Sequence, residues 1–201
     1  MLVYGSDLKN KSVLSLHTSS PIAQLDKPII DPYNLKIIAF KLTGPRLDDP
    51  ENSYLLIDSI REISPIGFIV NSSDEIVYSD SVIKLKEIID LGFDLSGIKV
   101  VSKKGAKIGK VSDFIADISQ MAINQLVVER PFIKAFLDPE LVIHRSKVVE
   151  ITNEQIVIKD EKERPKSKAK QGQEKIDPIG DFVNPFRKAK PELESRNQSE
   201  T

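Results

Sequence analysis

Two histidines, His17 and His144, are the chain's entire stock of imidazole, and it has no cysteine. A protein-bound zinc needs several His, Cys or carboxylate ligands brought close together, and a nucleophilic triad needs a base beside its nucleophile. Neither histidine has a second one near it in sequence. The spacing therefore predicts no metal site and no catalytic centre, and reads each histidine as a half-exposed strand residue. Asp31 and Asp117 stand 86 residues apart, and Glu62 and Glu150 stand 88 apart. Paired carboxylates do acid–base work only where a cleft raises the pKa of one of them. Recurrence at a nearly fixed interval fits turn and strand-end roles better. No glycine-rich phosphate loop of the G-x-x-x-x-G-K-[ST] or G-x-G-x-x-G type occurs. Lys103, Lys104, Lys107 and Lys110 crowd around Gly105 and Gly109. Such a cluster could meet RNA phosphates. No aromatic side chain interleaves with it for base stacking, so a solvated hairpin tip is the preferred reading. The expectation is a protein that is not an enzyme, with no cofactor, no metal and no small-molecule substrate.

Composition agrees with that. The 201 residues carry 29 Lys and Arg against 30 Asp and Glu, a formal charge of −1, which exerts no global pull on nucleic acid or an acidic membrane. Without cysteine there are no disulfides and no thiolate sites. The opening MLVYGSDLKNK is not a basic segment followed by an apolar one, so it does not read as a secretory leader. No apolar run approaches the ~20 residues of a membrane-spanning helix. The expected location is the cytoplasm.

The elements that would position these groups come in two sets. Laid on itself, the chain repeats at a spacing of 86 to 89 residues. Val13-Leu14-Ser15 matches Val100-Val101-Ser102, Ile22-Ala23 matches Ile108-Gly109, and Asp31 matches Asp117. Leu55-Leu56-Ile57 matches Leu141-Val142-Ile143 at 86, and Ile60, Glu62 and Ile63 match Val148, Glu150 and Ile151 at 88. In the first set, runs rich in Ile, Val, Leu and Phe predict strands over 13–17, 36–42, 54–60 and 67–71. In the second set they predict strands over 99–102, 125–129, 140–144, 147–151 and 155–159. Ile38, Phe40 and Leu42 are expected on one face of their strand. Short strands separated by turns predict a small barrel or sandwich. Between the sets, SDSVIKLKEIIDLGF predicts a helix capped by Ser79 or Ser81, with Val82, Leu85 and Ile89 on one face and Gly92 ending it.

The stretch GAKIGKVSDFIADI, Gly105 to Ile118, resembles the opening of a PRC-barrel domain. That family is named for the H subunit of the photosynthetic reaction centre and includes the C-terminal domain of the ribosome-maturation factor RimM. The resemblance rests on a strand at Lys99–Ser102, a hairpin glycine at Gly105, the Ile108-Gly109-Lys110-Val111 core and Asp113. It is fuller over 94–160 than over 7–72, where Ser20-Pro21 replaces the hairpin glycine and Ala23 stands in the place of Gly109. Gly105 suits a positive-φ hairpin tip, and Gly109 a bulge or close strand approach.

The resulting expectation is mainly β: two tandem small PRC-like barrels at 1–77 and 93–160, a bridging helix at 78–92, and a disordered charged tail at 161–201. Within the tail, 176–186 carries Ile179, Phe182, Val183 and Phe186, an apolar segment that could dock on a partner, a membrane or the barrels. Phe132, Ile133 and Phe136 form a second apolar group, fit either for a partner or for sealing the barrels. By resemblance, the function implied is that of a non-catalytic adaptor or scaffold binding another protein. A ribosome-assembly or RNA-associated role comes second, and a peripheral membrane role third.

Overall fold

The computed structural model describes residues 1–131 and 139–160. Phe132, Ile133, Phe136 and the whole 161–201 tail lie outside them. The protein is mainly β, and fourteen strands are joined in one mixed sheet. In chain order the elements are β1 (Leu2–Tyr4), α1 (Gly5–Leu8), β2 (Ser12–Ser15), β3 (Ser20–Asp31), β4 (Lys36–Thr43), β5 (Ser53–Leu56), β6 (Glu62–Ser64), β7 (Gly67–Val70) and β8 (Ile76–Tyr78). There follow α2 (Ile83–Asp90), β9 (Lys99–Ser102), β10 (Lys107–Asp117), β11 (Ala122–Glu129), β12 (Glu140–His144), β13 (Val148–Ile151) and β14 (Gln155–Ile158).

The same ladder order occurs twice. β2, β3, β4 and β5 pair antiparallel in succession, while β7 pairs parallel with β2 and antiparallel with β6. β9, β10, β11 and β12 do the same, while β14 pairs parallel with β9 and antiparallel with β13. Even the irregularities repeat. The β3–β4 ladder shifts register at Leu25/Lys27, where Asp26 of β3 is the extra residue, and at Ile29/Ile30, where Ile38 of β4 is; the β10–β11 ladder shifts likewise at Val111/Asp113, with Ser112 of β10 extra, and at Ile115/Ala116, with Asn124 of β11 extra. Bulges bend a strand and increase its twist. Here they let two long strands curl around their own apolar faces.

Several expectations need correction. The sheet is not closed: among the described residues no ladder joins β5 to β6 or β12 to β13. Instead 3-10 turns at Ile57–Ser59 and Arg145–Lys147 carry the chain directly between those strands. The strand expected over 54–60 therefore stops at Leu56. The helix is shorter than 78–92, and Ser79 and Ser81 lie in a separate 3-10 turn and do not cap it. Ile38 faces away from Phe40 and Leu42, because the Ile29/Ile30 bulge shifts the pairing with β4. The repeat register also differs from the one expected from the sequence. Ala39 pairs with Leu56, and Gln125 with His144, so Leu55-Leu56 corresponds to Ile143-His144, 88 residues on.

One apolar cluster runs through both sets of strands, from Val13, Phe40 and Leu55 to Leu126, Ile143 and Ile156. The two sets meet at a reciprocal crossing. Ile37 N–H donates to the Met121 carbonyl and Ile123 N–H to the Leu35 carbonyl, each at 2.8 Å, on either side of the Lys36–Ala122 pair. Leu35 (φ 56°) and Met121 (φ 46°) are both left-handed and both buried. A contact in which i meets j and j meets i has the form of an isologous interface, here within one chain. β1 crosses to pair with β10, and the Asp113 carboxylate accepts from the Ser6 hydroxyl at 2.7 Å. α2 packs Val82, Leu85 and Ile89 onto the outer face of β4 and β5. Gly92 (φ 62°) ends it, and Asn153 caps the Leu91 carbonyl at 2.8 Å from the second set. No helix among the described residues is long and apolar enough to cross a membrane.

The recurring aspartates are turn formers. Asp31 accepts from Tyr33 N–H (2.9 Å) and Asn34 Nδ2 (2.8 Å), and Asp117 accepts from Ser119 N–H (3.0 Å) and its hydroxyl (2.7 Å). The Ser119 hydroxyl first, and then the amino terminus, hold the Asp117 carboxyl below the usual carboxylate range. Its stabilising effect is therefore present above pH ~4 and is lost as acidification passes through its lowered pKa. Asp31 is only 5% exposed. Asp31→Ala is expected to cost about 1–2 kcal/mol, because it strands donors in a buried turn. Asp117→Ala should cost less, and urea denaturation of the two variants checks the order.

Candidate functional site

The β9–β10 hairpin is built around Ser102. Its buried hydroxyl accepts from Lys104 N–H (3.2 Å) and Ala106 N–H (3.3 Å), while Gly105 at φ 78° donates to the Ser102 carbonyl (2.8 Å). This is a turn with a left-handed fourth residue, which glycine adopts without strain. Lys103 and Lys104 are held out at its tip, fully in solvent.

Lys107 and Lys110 belong instead to a cleft beside the hairpin. It encloses about 660 Å³. Val100, Val101 and Pro131 give it an apolar floor, and Lys99 and Arg130 join the two lysines at its rim. Gly109 lies at its base, where β10 breaks register against β9 at Lys107/Gly109 and a Cβ would collide with the Glu129 carbonyl. That is the close strand approach expected from the sequence. The four expected lysines are thus divided, two to the tip and two to the cleft.

Register sets the electrostatics of this place. Gln155, Lys99, Lys110, Glu129 and Glu140 are successive cross-strand neighbours over β14, β9, β10, β11 and β12. Lys99 faces Lys110 directly, and like charges so placed destabilise a sheet. Among the described residues none of Lys99, Lys107, Lys110 and Arg130 has a carboxylate within 4.0 Å. With Glu129 also in the lining, the cleft carries an excess of three positive charges. An anionic group entering it would relieve the Lys99–Lys110 repulsion.

The other chemical candidates do not converge. His17 is exposed in the turn after β2, and its N–H donates to the Asn71 carbonyl (2.9 Å). His144 uses Nδ1 to accept from Ser146 N–H at 3.2 Å, at the opposite end of β12 from Glu140 and the cleft. Glu62 and Glu150 lie at exposed strand positions on β6 and β13. No group of three metal-binding side chains occurs among the described residues. A smaller groove between α1, β3 and β10 contains Asp26 and Asp113, but these already bind Lys9 (3.7 Å) and Ser6 (2.7 Å). Lys99, Arg130 and Gln155 escaped the sequence reading. Only the register places them, since Lys99 meets Lys110 across a strand ladder. Compared with known proteins, the chain matches no family model and no curated protein.

Proposed function

We propose that this chain is a non-catalytic adaptor made of two tandem PRC-like barrels, and that the cleft beside β9 and β10 receives an acidic segment of a partner protein. The barrel reading draws its support from the ladder order and the bulges that occur twice. The observation that carries the binding reading is the cross-strand pair Lys99–Lys110, with no carboxylate within 4.0 Å among the described residues, at the rim of an apolar cleft with Lys107 and Arg130 beside it. Protein is preferred to RNA because, among the described residues, no aromatic side chain lines the cleft to stack a base. An RNA-associated role is the second reading, favoured by the same cations together with Lys103 and Lys104 at the tip.

Fluorescence anisotropy with a labelled glutamate-rich peptide that also carries apolar residues, and with single-stranded RNA of equal charge, separates the two readings. The peptide is expected to bind more tightly. Raising salt from 50 to 200 mM should weaken an RNA complex making three phosphate contacts roughly 20-fold. A peptide whose apolar residues occupy the floor should lose less. Lys99→Glu with Lys110→Glu should lower peptide affinity at least 10-fold, the effect of losing roughly 1.4 kcal/mol of binding energy. Unchanged peptide binding in that double variant rejects the cleft. Tighter and more salt-sensitive RNA binding transfers the function to the second reading.

A further inference from the structure

β5 carries an extra strand on its outer edge: β8 pairs Val77 with Tyr54 and Ile76 with Leu55. β12 is the counterpart of β5, and among the described residues its outer edge carries nothing. Five residues of backbone there have alternate N–H and C=O groups without strand partners, and such an edge is a template for another strand. Glu140, Val142 and His144 are exposed, with Val142 at 49%, while Leu141 and Ile143 turn toward the core. Glu140 already faces Glu129 across the β11–β12 ladder, a pair of like charges. His144 accepts at Nδ1 from Ser146 N–H, which leaves its proton on Nε2, free to donate outward.

We propose that the β12 edge docks a second copy of this chain, antiparallel and strand beside strand, about a two-fold axis at Val142. In that register Val142 meets the second copy's Val142, Glu140 meets its His144, and His144 meets its Glu140. The Glu-Leu-Val-Ile-His sequence is thus complementary to itself in charge and in apolar pattern, as an isologous contact requires. A parallel pairing in register would set Glu140 against Glu140 and is disfavoured. The histidine also answers the carboxylate pair that Glu129 and Glu140 make within one copy. This surface is separate from the Lys99–Lys110 cleft, so either can fail without the other.

Sedimentation equilibrium of the full chain over a wide concentration range tests it. The wild type should approach twice the chain mass, and Val142→Lys should stay at the mass of one chain. Glu140→Lys and His144→Glu should each weaken association at least 10-fold. An equimolar mixture of those two variants should recover it, because opposite charges then face each other only in the mixed dimer. A misfolded variant could not give that recovery. The proposal is overturned if the wild type is monomeric throughout, if Val142→Lys still dimerises, or if mixing restores nothing. It is equally overturned if Val142→Lys lowers the melting temperature of a monomeric wild type, since the edge would then be covered by the chain's own residues.

Discussion

Phe40→Ala is expected to destabilise the folded protein by about 3–5 kcal/mol, the range for truncating a fully buried aromatic side chain. For a chain of this size that is a fall in melting temperature of roughly 10 °C. Phe40 lies on β4 with no measurable exposure, and its ring meets Phe68 of β7 edge to face, with centroids 5.4 Å apart and planes at 63°. β4 and β7 are not neighbours in the sheet, since β3 and β2 lie between them. The ring pair therefore spans the inside of the curled strands, where no ladder of hydrogen bonds completes the curl. Dispersion and the hydrophobic effect act there in place of closure. In the second set of strands the corresponding residues are Leu126 and Ile156, also fully buried. Phe40→Leu should thus cost less than ~1.5 kcal/mol, since an aliphatic pair already fills the equivalent place. Urea denaturation of both variants measures the difference. A loss below ~1 kcal/mol for Phe40→Ala would show that the curl is held elsewhere.

What the sequence made legible follows from the same physics. Runs such as Lys36–Leu42 and Gln155–Lys159 announce strands because β-branched and aromatic side chains cluster between turn residues. The 86-residue recurrence of Asp31 and Asp117 announces two equivalent turns, and the carboxylates do accept the turn N–H groups. Gly92 announces a helix end, and Gly105 a hairpin tip. The two longest strands were hidden. β3 contains Pro21, Asp26 and Pro28, and β10 contains Gly109, Ser112 and Asp113, residues that ordinarily mark interruptions. The strands persist because each is bulged: Asp26 and Ser112 are the unpaired residues of bulges, and Pro21 and Gly109 flank register breaks, while Pro28 stays within the ladder opposite Phe40. Pairing distances of more than 50 residues, as in the parallel β2–β7 ladder, leave no local mark at all.

The site was legible in part for a related reason. A cluster of lysines close in sequence is easily seen, but sequence closeness put Lys103 and Lys104 with Lys107 and Lys110, whereas the fold separates them. Lys99 reaches the cleft through pairing with β10, and Arg130 follows directly on β11. The matched strings Leu55-Leu56-Ile57 and Leu141-Val142-Ile143 misled by two residues, because apolar alternation has a period of two and looks alike after such a slip. The corrected register is what turns Val142 outward and makes β12 an edge with a chemistry of its own.

Gly109→Ala is expected to cost about 2–3 kcal/mol, as overpacking against a backbone that cannot easily move. A Cβ at Gly109 would collide with the Glu129 carbonyl and lie 2.8 Å from Val128 Cγ1. The side chain could swing away, but the carbonyl belongs to the β10–β11 ladder that frames the cleft. Either β11 withdraws and the Lys110–Glu129 register is lost, or β10 shifts and carries Lys107 and Lys110 with it. Both responses predict weaker binding of an acidic peptide along with the lower stability. The first set of strands supplies the control. Ala23 stands in the equivalent position and is buried there, with Gly44 (φ 147°) packed beside it, where a Cβ would be 3.4 Å from the Ala23 Cα. Ala23→Gly should therefore cost no more than ~1 kcal/mol, the backbone-entropy penalty of glycine in a strand. Thermal denaturation of the two variants, with peptide anisotropy on Gly109→Ala, tests the asymmetry. Equal losses at the two sites would mean that the contact with Glu129 is not what restricts position 109 to glycine.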